Sequence, residues 1–460
     1  MTDFRASSHS APIVSVEQLV EQFHHAAKPR ARWMIGTEYE KVVVERASGR
    51  AAPFSGARGI ETLLRALAER YGWKPQEENG RTVALLREGA SITLEPGGQL
   101  ELSGRQCPNI HCTQEELGTH VREILAVGSE LGLAFLGLGI QPLSRLDEIE
   151  WVPKQRYAIM GPYMTRVGTL GQRMMKQTAT VQANIDYSDE RDAMRKMRVG
   201  MAIAPLVNGM FANSSISDGD LNAYMSYRGH IWTDTDRARC GLLPFAFREG
   251  AGFGDYVDWA LDVPCYFILR NGQYLTSVTG MPFRRFLAEG AGGERATLDD
   301  WNLHLTTLFP EVRLKGYLEL RSADSQPPER LLAYPALVKG IFYTDDCLDA
   351  AWDLVKRWSF EERIEFYRLV HREALHARAR GIRAIELSHE LYAIAEEGLK
   401  RQAATDAAGR DERVYLERLG EQLASGRSPA RVVAEHWVGR WNRQIGQLVE
   451  FSAYRGRSEG

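Results

Sequence analysis

Apolar and polar residues alternate with strand periodicity in four stretches of this chain, and in each the polar face is rich in carboxylates, amides or cations. In 33–44 (WMIGTEYEKVVV) successive side chains of a strand point to opposite faces, so Glu38 and Glu40 project on the same side. In 91–103 (SITLEPGGQLELS) the Pro96-Gly97-Gly98 turn separates two alternating runs, which predicts a hairpin with Glu95 near Gln99 and Glu101 on the face of Glu95. In 181–186 (VQANID) Gln182, Asn184 and Asp186 alternate with apolar residues. In 312–321 (VRLKGYLELR) Arg313, Lys315, Tyr317, Glu319 and Arg321 share one face and the other is apolar apart from a glycine, which predicts one continuous strand.

Helical spacing covers most of the rest. A first helix is predicted over 16–27, with Ser15 as N-cap and Gln18 completing a capping box, and others over 60–71, 115–131 and, interrupted by Pro205, 191–211. The run 133–140 predicts a buried strand, whereas the Gly-, Pro- and Met-bearing stretch 152–171 and the segment 213–219 (NSSISDG) predict loops. From about residue 331 the texture becomes helical, over 348–358, 360–377, 385–402, 412–423 and 430–447, with Ser428-Pro429 as cap and first-turn proline of the last. These elements predict an α/β (α+β) protein with a curved, mostly antiparallel sheet: a flexible N-terminus over 1–14, a sheet-and-helix core over 15–330, and a helical layer over 331–460 packed on that core.

Composition narrows the function. With 460 residues, 44% apolar and 25% charged, the chain has enough material for a sizeable core, and its 57 basic and 60 acidic residues lack the basic excess that nucleic-acid binding requires. No apolar run reaches bilayer length, and the first residues lack a signal core, so neither a membrane nor export is expected and the cytoplasm is the predicted location. Five cysteines, an odd number, fit a reducing compartment rather than a disulfide framework, and Cys107, His111 and Cys112 have no partner pair at zinc spacing. Local signatures of P-loop, dinucleotide, serine-hydrolase and zinc-protease sites are absent from the sequence.

What remains is the polar face of the sheet. A half-buried sheet alternates in the same way without any site, because its outer face meets water. Clustered carboxylates with Gln and Asn, however, suit a hard cation, Mg²⁺ with Mn²⁺ as a substitute, and repel one another unless a cation joins them. Arg313, Lys315 and Arg321 on such a face would neutralise a transferring phosphoryl group, which points to ATP-dependent chemistry.

Over roughly residues 35–324 the chain resembles the plant-type glutamate–cysteine ligases, within the glutamine-synthetase-like carboxylate–amine ligases. The resemblance runs in order through GTEYEK, EPGGQLELSG, FLGLGIQP, VPKQRYAIMGPYM, VGTLG, VQANID, HIWTDTD, YVDWALDVPCYF and HLTTLFPEVRLKGYLELRSAD. It implies joining of the glutamate γ-carboxylate to the cysteine amine through a γ-glutamyl phosphate, the first step of glutathione synthesis, with glutamate, cysteine and ATP as small-molecule partners and a monomer or homodimer as the working state. By position it implies Glu38, Glu40, Glu95, Glu101, Gln182 and Glu319 as metal ligands and Gln182, Asn184 and Arg321 at the nucleotide. Arg321 and Lys315 would stabilise the transferring phosphate, Arg156, Tyr157 and Arg228 would hold substrate carboxylates, and Tyr266 would sit near the cysteine acceptor.

The chain departs from the family pattern at Gly161, where plant members carry a second arginine, and in the segments 213–222 and 325–329. Those departures leave open a γ-glutamyl ligase with another amine acceptor. An idle scaffold of the same fold is the reading from outside enzymology. The paired cysteines of the plant redox switch have no counterpart near Ser277, near Ala291 or after Cys347, so no such switch is expected.

Overall fold

The computed structural model describes residues 11–456. The first strand and its neighbours follow the alternation. In chain order come α1 (Glu17–Ala26), β1 (Ile35–Glu45), α2 (Ile60–Tyr71), β2 (Lys74–Glu78), β3 (Arg81–Arg87), β4 (Ala90–Leu94), β5 (Leu100–Ser103), α3 (Ile110–Leu131) and β6 (Leu133–Leu136). Then follow α4 (Gln155–Val167), α5 (Gly171–Gln177), β7 (Thr180–Ile185), α6 (Glu190–Met210) and α7 (Tyr227–Thr233). A closing hairpin, Val312–Leu314 with Leu318–Asp324, completes a nine-stranded sheet.

From one edge the order is outer hairpin strand, inner hairpin strand, β7, β1, β5, β4, β3, β2, and every neighbouring pair is antiparallel. The long β1 serves two layers. Its first half pairs with β5 on one side and β7 on the other, and its second half, Val42 to Glu45, pairs with β6. The apolar face of the sheet, with Tyr39, Leu85, Ile92, Leu102, Val181, Ala183 and Leu320, merges into the main core with α2, α3, α6 and the helix Ala333–Phe342. A second apolar cluster joins Val42, Val44 and β6 to Val433, Trp437, Trp441 and Leu448 near the C-terminus.

Several expectations need correction. The segment 312–321 is a hairpin, not one strand: the chain folds back at Lys315–Tyr317, where Lys315 N donates to Tyr317 O at 2.8 Å. Because Arg313 then faces Glu319 across the hairpin, the charged residues still share one side. The expected loop at 152–171 contains helix α4, with Pro162 inside it, because Tyr157, Met160, Gly161 and Met164 recur at helical spacing and are buried. Residues 190–210 form one helix despite Pro205. The last predicted helix is two, Pro429–Val438 and Ile445–Ser452, broken where Asn442 and Arg443 take positive φ.

At the N-terminus, residues 1–10 of the expected flexible segment lie outside the described residues, while Ile13 is buried and its N–H donates to Ala296 O at 2.9 Å. Helix α1 has no side-chain cap at its first residue, and half of the expected box forms: Gln18 Oε1 accepts from Ser15 N at 3.4 Å and, more closely, from Val14 N at 2.8 Å. The cysteines are not all free: Cys107 and Cys112 are disulfide-bonded, five residues apart, whereas Cys240, Cys265 and Cys347 are thiols. No helix among the described residues is long and apolar enough to cross a membrane.

Candidate functional site

The strand registers place the polar residues in rungs across the sheet. Glu101 lies opposite Glu40 on one side and Thr93 on the other. Ser91, Ser103, Glu38 and Gln182 make the next rung, and Gly36, Asn184, Glu319 and Arg313 a third. The β4–β5 turn adds Glu95, whose N–H donates to Gln99 O at 3.0 Å, and Gly98 in that turn has φ +84°, the left-handed region glycine favours. A register shift between Leu320 and Ala323 marks a bulge that carries Arg321. Bulges re-aim side chains in this way.

Two charge clusters result. Glu40, Glu95 and Glu101 each bring a carboxylate oxygen within 4.8 Å of the other two. Glu40 accepts from Thr180 N at 2.9 Å, and Glu101 accepts from Thr93 Oγ1 at 3.0 Å and from the Ser103 hydroxyl. Burial, then the charges of Glu95 and Glu101, push Glu40 well above the usual carboxylate range, and burial and Glu95 raise Glu101. Three acids crowded into a nearly dry floor are unfavourable as bare anions, and an all-oxygen donor set of this compactness fits a divalent hard cation.

The second cluster is centred on Glu319, which is fully buried. Arg313 binds it through two nitrogens, with Nη2 at 2.6 Å from Oε1 and Nε at 3.0 Å from Oε2, Lys315 Nζ lies 3.0 Å away, and Arg321 donates as well. Against burial, which acts the other way, these three cations hold the Glu319 carboxyl well below its ordinary value. Arg321 Nη1 also donates to Gln182 Oε1 at 2.6 Å. Between the clusters sits Glu38, which accepts from Asn184 Nδ2 at 3.1 Å. Burial, then Glu319 and Glu101, push it up to about 7.

Both clusters belong to one cleft of 1140 Å³ over the sheet. Glu38, Glu40, Glu95, Glu101, Gln182, Lys315, Arg321, Arg156, Tyr157 and Arg228 all line it. Arg228, at the start of α7, is buried and donates through Nη2 to Arg321 O at 3.0 Å. The Arg156 Nε is buried without a hydrogen-bond partner, so its guanidinium retains a donor for a ligand. Glu319 and Asn184 lie beneath the lining, the first under its cations and the second against Glu38. Tyr266 lies outside the cleft lining, buried against the Arg239 guanidinium at 3.9 Å and edge-on to Tyr163, with its hydroxyl toward Met164 Sδ. The Tyr157 hydroxyl is spent on the Leu94 carbonyl at 2.8 Å.

Sequence reasoning missed Lys154 and Trp232 as cleft residues. The signal for Trp232 was available, because four residues after Arg228 it falls on the same face of a helix. Its ring lies 5.9 Å from the Arg321 guanidinium, with Phe309 at 5.8 Å. Lys154 gave only a charge two residues before Arg156 in a stretch that reads as a loop.

A protein-family model described as glutamate-cysteine ligase family 2 matches residues 34–450. The chain is 41% identical over 441 residues to glutamate–cysteine ligase B, chloroplastic, of Oryza sativa subsp. japonica, covering 95% of this chain and 87% of that protein. It is 40% identical to the chloroplastic glutamate–cysteine ligase of Arabidopsis thaliana, covering 95% and 83%. Among solved structures, a glutamate–cysteine ligase of Francisella tularensis in complex with AMP aligns over 93% of this chain and 90% of its own, at a TM-score of 0.53 and 12% identity, a likeness of fold. The expectation of a cytoplasmic location is overturned, since the plant relatives matched over nearly the whole chain are named as chloroplastic proteins. Over nearly its full length, then, this chain belongs to glutamate–cysteine ligase family 2.

Proposed function

We propose that the protein is an ATP-dependent glutamate–cysteine ligase. The observation that carries this reading is the convergence of Glu40, Glu95 and Glu101 on the floor of a cleft whose other walls bring Lys315, Arg321, Arg228 and Arg156. Mg²⁺, with Mn²⁺ able to replace it, would be held by the three carboxylates and supplies charge neutralisation at phosphate oxygens when bound.

The chemistry asks for cations around a transferring phosphoryl group and a clamp on substrate carboxylates. The γ-carboxylate oxygen of glutamate attacks the terminal phosphorus of ATP and ADP departs. The cysteine amine then attacks the acyl carbon, phosphate leaves, and the surplus ammonium proton passes to solvent. Arg321, steered by Gln182 and Glu319, presents its guanidinium to the phosphate oxygens, and Lys315 adds a second charge from the hairpin turn. Arg228 and Arg156 suit the α-carboxylate of an amino-acid substrate, the latter with its unpartnered Nε.

A ligase with another amine acceptor is the second reading, motivated by Gly161. A Cβ there would meet the Trp151 ring at 3.1 Å, so an arginine could not enter at this position unless the indole moved. One assay decides: phosphate release from Mg²⁺-ATP with glutamate and a panel of amines. Release that requires glutamate and is fastest with cysteine supports the proposal. Faster release with another amine moves the assignment to the second reading, and ATP turnover indifferent to any amine removes both.

A further inference from the structure

Glu95 is the one member of the carboxylate triad that no strand register fixes, since it lies in the β4–β5 turn rather than within a ladder. Its backbone is tied across the turn by Glu95 N donating to Gln99 O at 3.0 Å, and contacts from outside hold the turn itself. The β3–β4 pairing ends at Ala84 opposite Thr93, so the Leu94 carbonyl lies one residue beyond the last pair. Two side chains from the next segment take it up: Lys154 Nζ donates at 2.9 Å and the Tyr157 hydroxyl at 2.8 Å.

The turn is gripped elsewhere too. Val152 N donates to Pro96 O at 2.9 Å, and Gln99 Nε2 donates to Met175 O at 3.2 Å and Thr178 O at 2.8 Å. Gly97 fits against the Lys176 carbonyl, where a Cβ would collide with backbone. The two bonds to Leu94 O differ from these in one respect: Glu95 N already donates to Gln99 O at 3.0 Å, and they hold the other end of that same peptide unit, so that together the three bonds set the direction in which the Glu95 side chain leaves the turn.

We propose that Lys154 and Tyr157 form a clamp on the Leu94–Glu95 peptide that positions Glu95 for the cation, and that Tyr157 is a positioning residue and not a substrate contact. The inference rests on the reading of Glu40, Glu95 and Glu101 as cation ligands. It assigns the start of α4 two tasks: Arg156 faces the substrate, while the residues flanking it set the metal site.

The test is direct Mn²⁺ binding to the full-length chain, followed by electron paramagnetic resonance without nucleotide, in wild type, Glu95→Gln, Tyr157→Phe and the pair Lys154→Met with Tyr157→Phe. Glutamate KM is measured at saturating metal for the Tyr157→Phe variant. Tyr157→Phe removes one oxygen and Lys154→Met keeps the side-chain length, and circular dichroism confirms folding before binding is compared. The expected result is a Mn²⁺ affinity lowered about threefold by Tyr157→Phe and tenfold or more by the pair, with glutamate KM within twofold of wild type. Unchanged Mn²⁺ affinity in both variants, alongside weakened binding in Glu95→Gln, overturns the clamp and leaves the metal reading intact. Full Mn²⁺ affinity in Glu95→Gln overturns the metal reading and the clamp with it. A glutamate KM raised tenfold by Tyr157→Phe at unchanged Mn²⁺ affinity returns Tyr157 to the substrate.

Discussion

Replacing Glu38 with glutamine should make the cation-free protein more stable, and only above acid pH. The Glu38 carboxyl is raised from 4.5 to about 7, first by burial and then by the charges of Glu319 and Glu101. Its folded-state pKa exceeds the unfolded one, so the folded chain binds the proton more tightly. The stability this confers is complete below pH 4.5 and is lost as pH climbs through 7. At about 1.36 kcal/mol per pH unit that rise is worth roughly 3 kcal/mol, most of it lost between pH 5 and pH 8. Glu38 retains some contact with solvent, and screening brings the expected difference down to about 1–2 kcal/mol.

Glutamine suits the site, because its carbonyl oxygen can accept the Asn184 amide bond that Glu38 accepts. It mimics the protonated acid without titrating. The assay is urea unfolding of wild type and Glu38→Gln in EDTA at pH 5 and pH 8, each variant serving as its own control for groups that titrate elsewhere. The variant should gain about 1–2 kcal/mol over its pH 5 difference by pH 8, while ligase turnover falls. A variant no more stable than wild type at pH 8, or a difference identical at the two pH values, would refute the account of a cleft that stores carboxylate repulsion.

The remaining predictions concern groups held in place rather than crowded. Glu319→Gln leaves Arg313, Lys315 and Arg321 without their shared buried counterion, so it should destabilise the fold by about 3–5 kcal/mol as well as lower turnover. An unchanged urea midpoint would show that the three cations find other partners. Gly97→Ala should cost activity out of proportion to its size, because the added methyl strikes the Lys176 backbone and pushes the Glu95 turn off the sheet. Normal turnover at wild-type metal concentration would mean that the turn can shift freely.

Much of this site was legible because its logic is local. Glu38 and Glu40 share a face by strand periodicity alone, and Pro96-Gly97-Gly98 marks a turn wherever it stands between alternating runs. The same locality hid the hairpin at 312–321, since a strand that turns back over three residues keeps its alternation and looks like a longer strand. Gly161 and Pro162 made α4 read as a loop, although burial of the helix's apolar stripe outweighs one proline. Side-chain ends were the least legible part. Nothing near Tyr157 or Tyr266 in the chain says that one hydroxyl reaches the Leu94 carbonyl and the other ring stacks on Arg239, because both partners arrive from elsewhere in the fold. The Cys107–Cys112 bond escaped for a related reason, since a spacing of five permits closure without requiring it.

The two-layer role of β1 limits what this enzyme can tolerate. Its acids face the cleft while Tyr39 and Lys41 face the opposite side, where Lys41 Nζ lies 2.8 Å from His120 Nε2. Sliding the strand by a single position would exchange the two sets and present a phenol and an ammonium to the cleft. Because β5, β7 and β6 all fasten the same strand, a one-residue insertion there would have to break ladders on both flanks at once. Length changes should therefore be borne by the outlying β2–β3 edge, and β1 should keep its count unaltered.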